Sequence, residues 1–121
     1  MEEDDVLAFV QDTIRSVWTL ELLVLMQQGA DRAWPTAELV AALRANTRVV
    51  TEGLSALESV GLVRLDEAGM VRYRPASSAL AETIRDVVDL YNRKPLAVVR
   101  TILTSPTDKI QTFADAFRFR K

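Results

Sequence analysis

Residues 34–75 read WPTAELVAALRANTRVVTEGLSALESVGLVRLDEAGMVRYRP, and their punctuation decides the fold. Pro35 and Thr36 open a short helix: Thr36 is expected as its N-cap, Glu38 sits in the first turn where the helix dipole favours an acid, and Leu39, Val40 and Leu43 point inward. Asn46 or Thr47 caps a second helix that runs to about Val60 and ends at Gly61. On it Val50, Leu54 and Leu57 fall at i, i+4 and i+7 and, helped by Val49 and Val60, face a core. Thr47, Arg48, Thr51, Glu52, Ser55, Glu58 and Ser59 are left outward, small polar side chains around one arginine.

A hairpin follows. Val63 and Leu65 alternate with Arg64, and Val71 and Tyr73 alternate with Arg72 and Arg74, so each strand has one apolar and one basic face. A three-residue loop, Glu67-Ala68-Gly69, with Gly69 left-handed after a type I turn, sets residue 65 opposite 71 and 64 opposite 72. Arg64 then meets Arg72 across the ladder, a like-charge pair that is unfavourable unless an anion lies over it. Two helices and a hairpin in this succession make a winged helix-turn-helix, which presents helix 46–60 to the DNA major groove and hairpin 62–75 to the phosphate backbone. The predicted class is therefore mainly α with a small β-hairpin, a winged helix-turn-helix with flanking N- and C-terminal helices.

Outward from this core, Val6, Phe9, Val10, Thr13, Val17 and Leu20 recur at helical steps, and Leu22 to Met26 leave no polar face; residues 5–28 read as an amphipathic helix feeding a buried one, closed by Gly29 as a C-terminal cap. Ala30 to Trp34 form a connector with room for a short strand. Ser77 or Ser78 caps a helix with Leu80, Ile84, Val87, Val88 and Tyr91 inward, which stops at Lys94 before Pro95 starts a segment to Leu103. Ser105-Pro106-Thr107-Asp108 starts a last helix with the apolar stripe Ile110, Phe113, Ala114 and Phe117. The whole of 1–121 reads as one domain: N-terminal helices over 1–29, the core over 30–75, and C-terminal helices over 76–121 that serve as a dimerisation region.

With no Cys and no His among 121 residues, disulfides, thiolate ligands and the commonest general base are excluded. Asp86 and Asp89 have carboxylate-pair spacing but no converging partner, so they read as a solvated face; neither metal, cofactor nor enzymatic activity is expected. The acidic start, Met1 to Asp5, and the lack of an apolar run near ~18 residues predict a soluble, cytoplasmic chain with no membrane contact. Net charge is -2 and the sequence pI about 5.2, which weighs against strong non-specific binding to nucleic acid. The charge is uneven, though. Glu2, Glu3, Asp4, Asp5 and Asp12 form an acidic head, and Arg118, Arg120 and Lys121 end a basic tail, an arrangement suited to DNA contact by the tail or to head-to-tail pairing in a dimer.

The segment Leu54-x-x-Leu57-x-x-x-Gly61-Leu62-Val63-Arg64, followed by a turn and Val71-x-Tyr73, resembles the winged helix-turn-helix domains of bacterial transcriptional regulators of the MarR-like and related classes. The resemblance covers Pro35 to Pro75, about a third of the chain. It implies a helical dimerisation region outside the wing and sequence-specific binding of a homodimer to a palindromic double-stranded operator. The residues expected at DNA are Thr36, Thr47, Arg48, Thr51, Glu52, Ser55, Arg64, Arg72 and Arg74; those expected at a dimer or partner interface are Val6, Phe9, Ile110, Phe113 and Phe117. The alternative is a protein-interaction module that docks a partner on its C-terminal amphipathic helix without touching DNA. Trp18 and Trp34 are expected in the core.

Overall fold

The computed structural model describes residues 2–104. Their element order is α1 (Glu3–Thr13), α2 (Val17–Gln28), β1 (Ala33–Pro35), α3 (Thr36–Leu43), α4 (Thr47–Val60), β2 (Val63–Leu65), β3 (Met70–Tyr73), α5 (Ser78–Arg93) and α6 (Pro95–Leu103). The chain is mainly helical, with one small antiparallel sheet. The helix expected at Ser105, with Ile110, Phe113, Ala114 and Phe117, lies outside the described residues.

The almost wholly apolar α2 is the centre of the core: it packs on α4, α3 and α6, while α1 lies across α5 and α6. The amphipathic and the buried helix expected over 5–28 are α1 and α2, separated between Thr13 and Val17. Fully buried Ile14 takes an extended conformation, and the Ser16 hydroxyl caps α2 by accepting the Thr19 N–H at 3.0 Å. Ser16 Oγ also lies 2.9 Å from Thr19 Oγ1, so this buried hydroxyl is satisfied. Where α4 crosses α2, a Cβ built on buried Gly53 would stand 3.1 Å from Leu22 Cδ2 and 3.5 Å from Thr19 Oγ1; the glycine sets how closely the two helices approach.

The ends of α3 and α4 are alike. At α4 the Leu62 N–H reaches Leu57 O and the Gly61 N–H reaches Glu58 O, both at 3.0 Å, with Gly61 left-handed. The same double closure ends α3, but there the left-handed residue is Arg44, at φ 54°. A turn of three residues, 44–46, thus joins the two helices, and the Asn46 side chain caps α4 by accepting the Val49 N–H at 2.8 Å. Thr36 is not the cap of α3. It is the first helical residue, and Pro35 occupies the cap position without a side-chain bond.

The sheet has the order β1-β3-β2, and its registers Arg64↔Arg72 and Leu65↔Val71 are those the three-residue loop demands. Asp66 builds that loop. Its Oδ1 accepts the N–H groups of Ala68 and Met70 at 2.9 and 3.0 Å, and its carbonyl accepts that of Gly69. The apolar face is only partly covered, however: Val63 and Val71 are buried, but Leu65 is exposed. Strand β1 places Trp34 opposite Val71 and buries it. Gly29 closes α2 with φ −106°, not left-handed; it is needed for room, since a Cβ there would lie 3.3 Å from Trp34 Cζ2.

Two expectations about burial are corrected. Trp18, in the first turn of α2, is exposed, so only Trp34 is a core indole. Val6 is 3% exposed, spent on the chain's own core between α1 and its neighbours, and cannot line an interface; Phe9 is half-buried against the same core. Among the described residues no helix is long and apolar enough to cross a membrane.

The Tyr91 hydroxyl of α5 donates to the Glu21 carboxylate of α2, and that bond, aided by burial and by the charge of Glu21, pushes the phenol up to about 12. A raised value in the folded state means that the contribution is complete below the ordinary phenol range near pH 10 and vanishes as pH climbs through about 12. Tyr91→Phe is expected to cost about 1 kcal/mol at neutral pH. Denaturant titrations should show the wild type losing that margin over the variant between those two pH values.

Candidate nucleic-acid interface

The residues singled out by sequence fall into two groups. The first is the N-terminal half of α4, where Thr47, Arg48, Thr51, Glu52 and Ser55 are all exposed. Their position follows from the opposite face: Val50, Gly53, Leu54 and Leu57 are buried against α2, α3 and β2, which turns these five side chains to solvent. Arg48 Nε donates to Glu52 Oε1 at 3.0 Å one turn on, with the two side chains 86% and 66% exposed. Such a pair contributes only about 0.3–0.5 kcal/mol, and its order along the helix, base before acid, is the weaker one. Half-buried Thr36 starts α3 and stands apart from this face. Glu58 and Ser59 lie exposed at the far end of α4, with the Ser59 hydroxyl donating to Ala56 O.

The second group is the hairpin. Arg64 and Arg72 are direct cross-strand partners, and the Arg74 N–H donates to Leu62 O at 2.9 Å, so the ladder continues and keeps Arg74 on the face of Arg72. All three are exposed, and no described acid forms an ion pair with any of them. Three shallow clefts are lined by these arginines: one adds Leu65, Asp66 and Glu67, a second, of about 470 Å³, runs from Arg64 and Arg74 to Glu58 at the end of α4, and a third sets Arg72 and Arg74 beside Asp31. Hairpin and α4 are thereby joined at the C-terminal end of the helix. Tyr73, inward on the same strand, is half-buried; burial raises its phenol above the ordinary value, against the opposing charge of Arg85.

Two residues were missed. Arg44 is an exposed base in the α3–α4 turn, three residues ahead of Thr47, with no ion-pair partner among the described residues. Its left-handed conformation disguised it, since a turn at this point reads more readily with glycine. Asp66, just ahead of the Glu67-Ala68-Gly69 loop, is the residue that ties the tip together. Its spacing to Gly69 was the available signal. Among the described residues no group of acids converges in a way that could hold a metal ion. No model of a known protein family matches the chain, and no curated protein matches it either.

Proposed function

We propose that this chain is a DNA-binding transcriptional regulator of the winged helix-turn-helix kind, working as a homodimer on a palindromic duplex site. Helix α4 enters the major groove by its N-terminal half, with Arg48 and its small polar neighbours at base edges and phosphates, and the hairpin is the wing. The observation that carries this reading is the triplet Arg64, Arg72 and Arg74. Three arginines share one exposed face of the sheet, two of them directly opposed, and none forms an ion pair with a described acid. Self-repulsion of that kind is relieved by a polyanion, and phosphate oxygens match the guanidinium fork. The three-residue turn between α3 and α4, and the position of the hairpin straight after α4, support the assignment of α4 as the reading helix.

The test is retention of labelled chromosomal fragments. Binding is expected at about 50 mM salt, with log affinity falling linearly against log salt. Arg48→Ala should weaken it by roughly tenfold. Failure to retain any fragment at that salt would sink the DNA reading and leave the fold as a scaffold for protein docking.

The acids on α4 supply a sharper check. Glu52→Gln removes a carboxylate from the reading face and releases Arg48 from its only described partner. Affinity should rise by about three- to tenfold, while folding stability moves by less than about 0.5 kcal/mol. An unchanged affinity would place Arg48 away from the phosphates and base edges.

A further inference from the structure

Two helices of this chain close in the same way, one on a glycine and one on an arginine. Gly61 ends α4 at φ 86° and Arg44 ends α3 at φ 54°, each with its N–H on the carbonyl three residues back. A left-handed conformation costs little at glycine and strains any residue with a Cβ, so the fold alone favours glycine at both places. Position 44 nevertheless carries a long cation. It is exposed, and among the described residues no acid forms an ion pair with it.

The surroundings leave that cation uncompensated. In a chain of net charge -2, residues 39–51 hold two bases, Arg44 and Arg48, and no acid. Ala41, Ala42, Asn46 and Thr47 are exposed around the turn, small side chains over which a DNA backbone can come close. Arg44 stands at one end of α4, and the hairpin arginines stand at the other. At ~1.5 Å per residue the 14 residues of α4 span about 21 Å, against ~12 Å for the width of the major groove, so bases beyond its two ends overhang both phosphate walls. We infer that Arg44 binds a phosphate on the wall of the groove opposite the one held by the wing, so that the reading helix is anchored at both ends. This contact rests on the DNA reading above and adds the second wall of the groove to it.

Arg44→Gly tests the contact, because strain and binding move in opposite directions. Relief of the left-handed cap should raise the melting temperature of the full-length chain by about 4 °C, so weaker binding cannot come from a damaged fold. On the chromosomal fragments that the wild type retains, affinity should nevertheless fall by about tenfold, equally on every duplex, and the slope of log affinity against log salt should shrink by about one. Arg44→Lys keeps the charge and should bind within about threefold of the wild type. If Arg44→Gly binds like the wild type while Arg48→Ala is weakened, Arg44 is no phosphate ligand and the DNA reading stands without it. A loss confined to one fragment, or an equal loss in Arg44→Lys, would overturn the phosphate assignment as well. No retention of the wild type would sink the DNA reading and this contact together.

Discussion

Arg72→Glu is expected to lower affinity for duplex DNA by about a hundredfold at low salt, while leaving the fold as stable as before or slightly more so. Arg72 stands directly opposite Arg64 on the hairpin, and both are exposed. A carboxylate at that place removes one phosphate contact and captures Arg64 in a cross-strand pair, which removes a second. Two lost contacts at roughly tenfold each give the estimate, and the slope of log affinity against log salt should shrink by about two. Exchanging repulsion for attraction across the strands adds about 0.2–1 kcal/mol to folding. Filter binding over a salt series and a thermal melt on the same preparation test both halves. Unchanged DNA affinity together with a raised melting temperature would show that the hairpin arginines are not phosphate ligands, and the proposed function would lose its principal support.

Gly53→Leu should be the most damaging single change to the fold, at about 3 kcal/mol, or a melting temperature lower by roughly 12 °C. A Cβ at Gly53 already comes to 3.1 Å from Leu22 Cδ2 and 3.9 Å from the Thr19 Cα. The first of these can yield by rotation of a side-chain end; the second is an ordinary contact for a Cβ, but the α2 backbone behind it leaves no room for the further carbons of a leucine. A leucine must therefore push α4 off α2, opening the core at its centre and tilting the exposed face that bears Arg48. Gly53→Ala separates this from a mere dislike of substitution. Its single methyl needs a few tenths of an ångström from Leu22, while alanine gains about 1 kcal/mol of helix propensity over glycine, so its melting temperature should stay close to that of the wild type. Equal tolerance of both variants would mean that the α2–α4 approach is looser than the structure shows.

Where local chemistry is self-sufficient, the sequence was legible. The hairpin register follows from a three-residue loop with glycine at its third position, and the structure has Arg64 against Arg72 as that loop requires. Asn46, Ser77, Gly61 and Pro95 each mark an element boundary by a bond they can make or lack, and each stands where its chemistry put it. The misreadings fall where tertiary context decides. The sequence did not place the boundary between α1 and α2, since nothing from Ile14 to Ser16 breaks a helix by propensity; Ile14 is extended there and buried in the core. Strand β1, for which the connector 30–34 left room, is three residues long, too short for alternation to fix its bounds, and is held by its pairing with β3. Gly53 carries no apolar signal, and its importance lies on α2. Trp18 was expected inside by size, but hydrophobic bulk does not say which side of a helix meets a neighbour.

The same misplacement of Trp18 leaves the chain with two indoles in opposite circumstances. Trp34 is shut behind β3 with a guanidinium 3.8 Å above its ring, while Trp18 stands 45% exposed at the start of α2. A sequestered indole fluoresces to the blue of a wet one and is hard to reach by dissolved quenchers. The native protein thus carries two separable optical reporters without any label: the shielded emission follows unfolding, and the quenchable emission follows whatever approaches the outer side of α2.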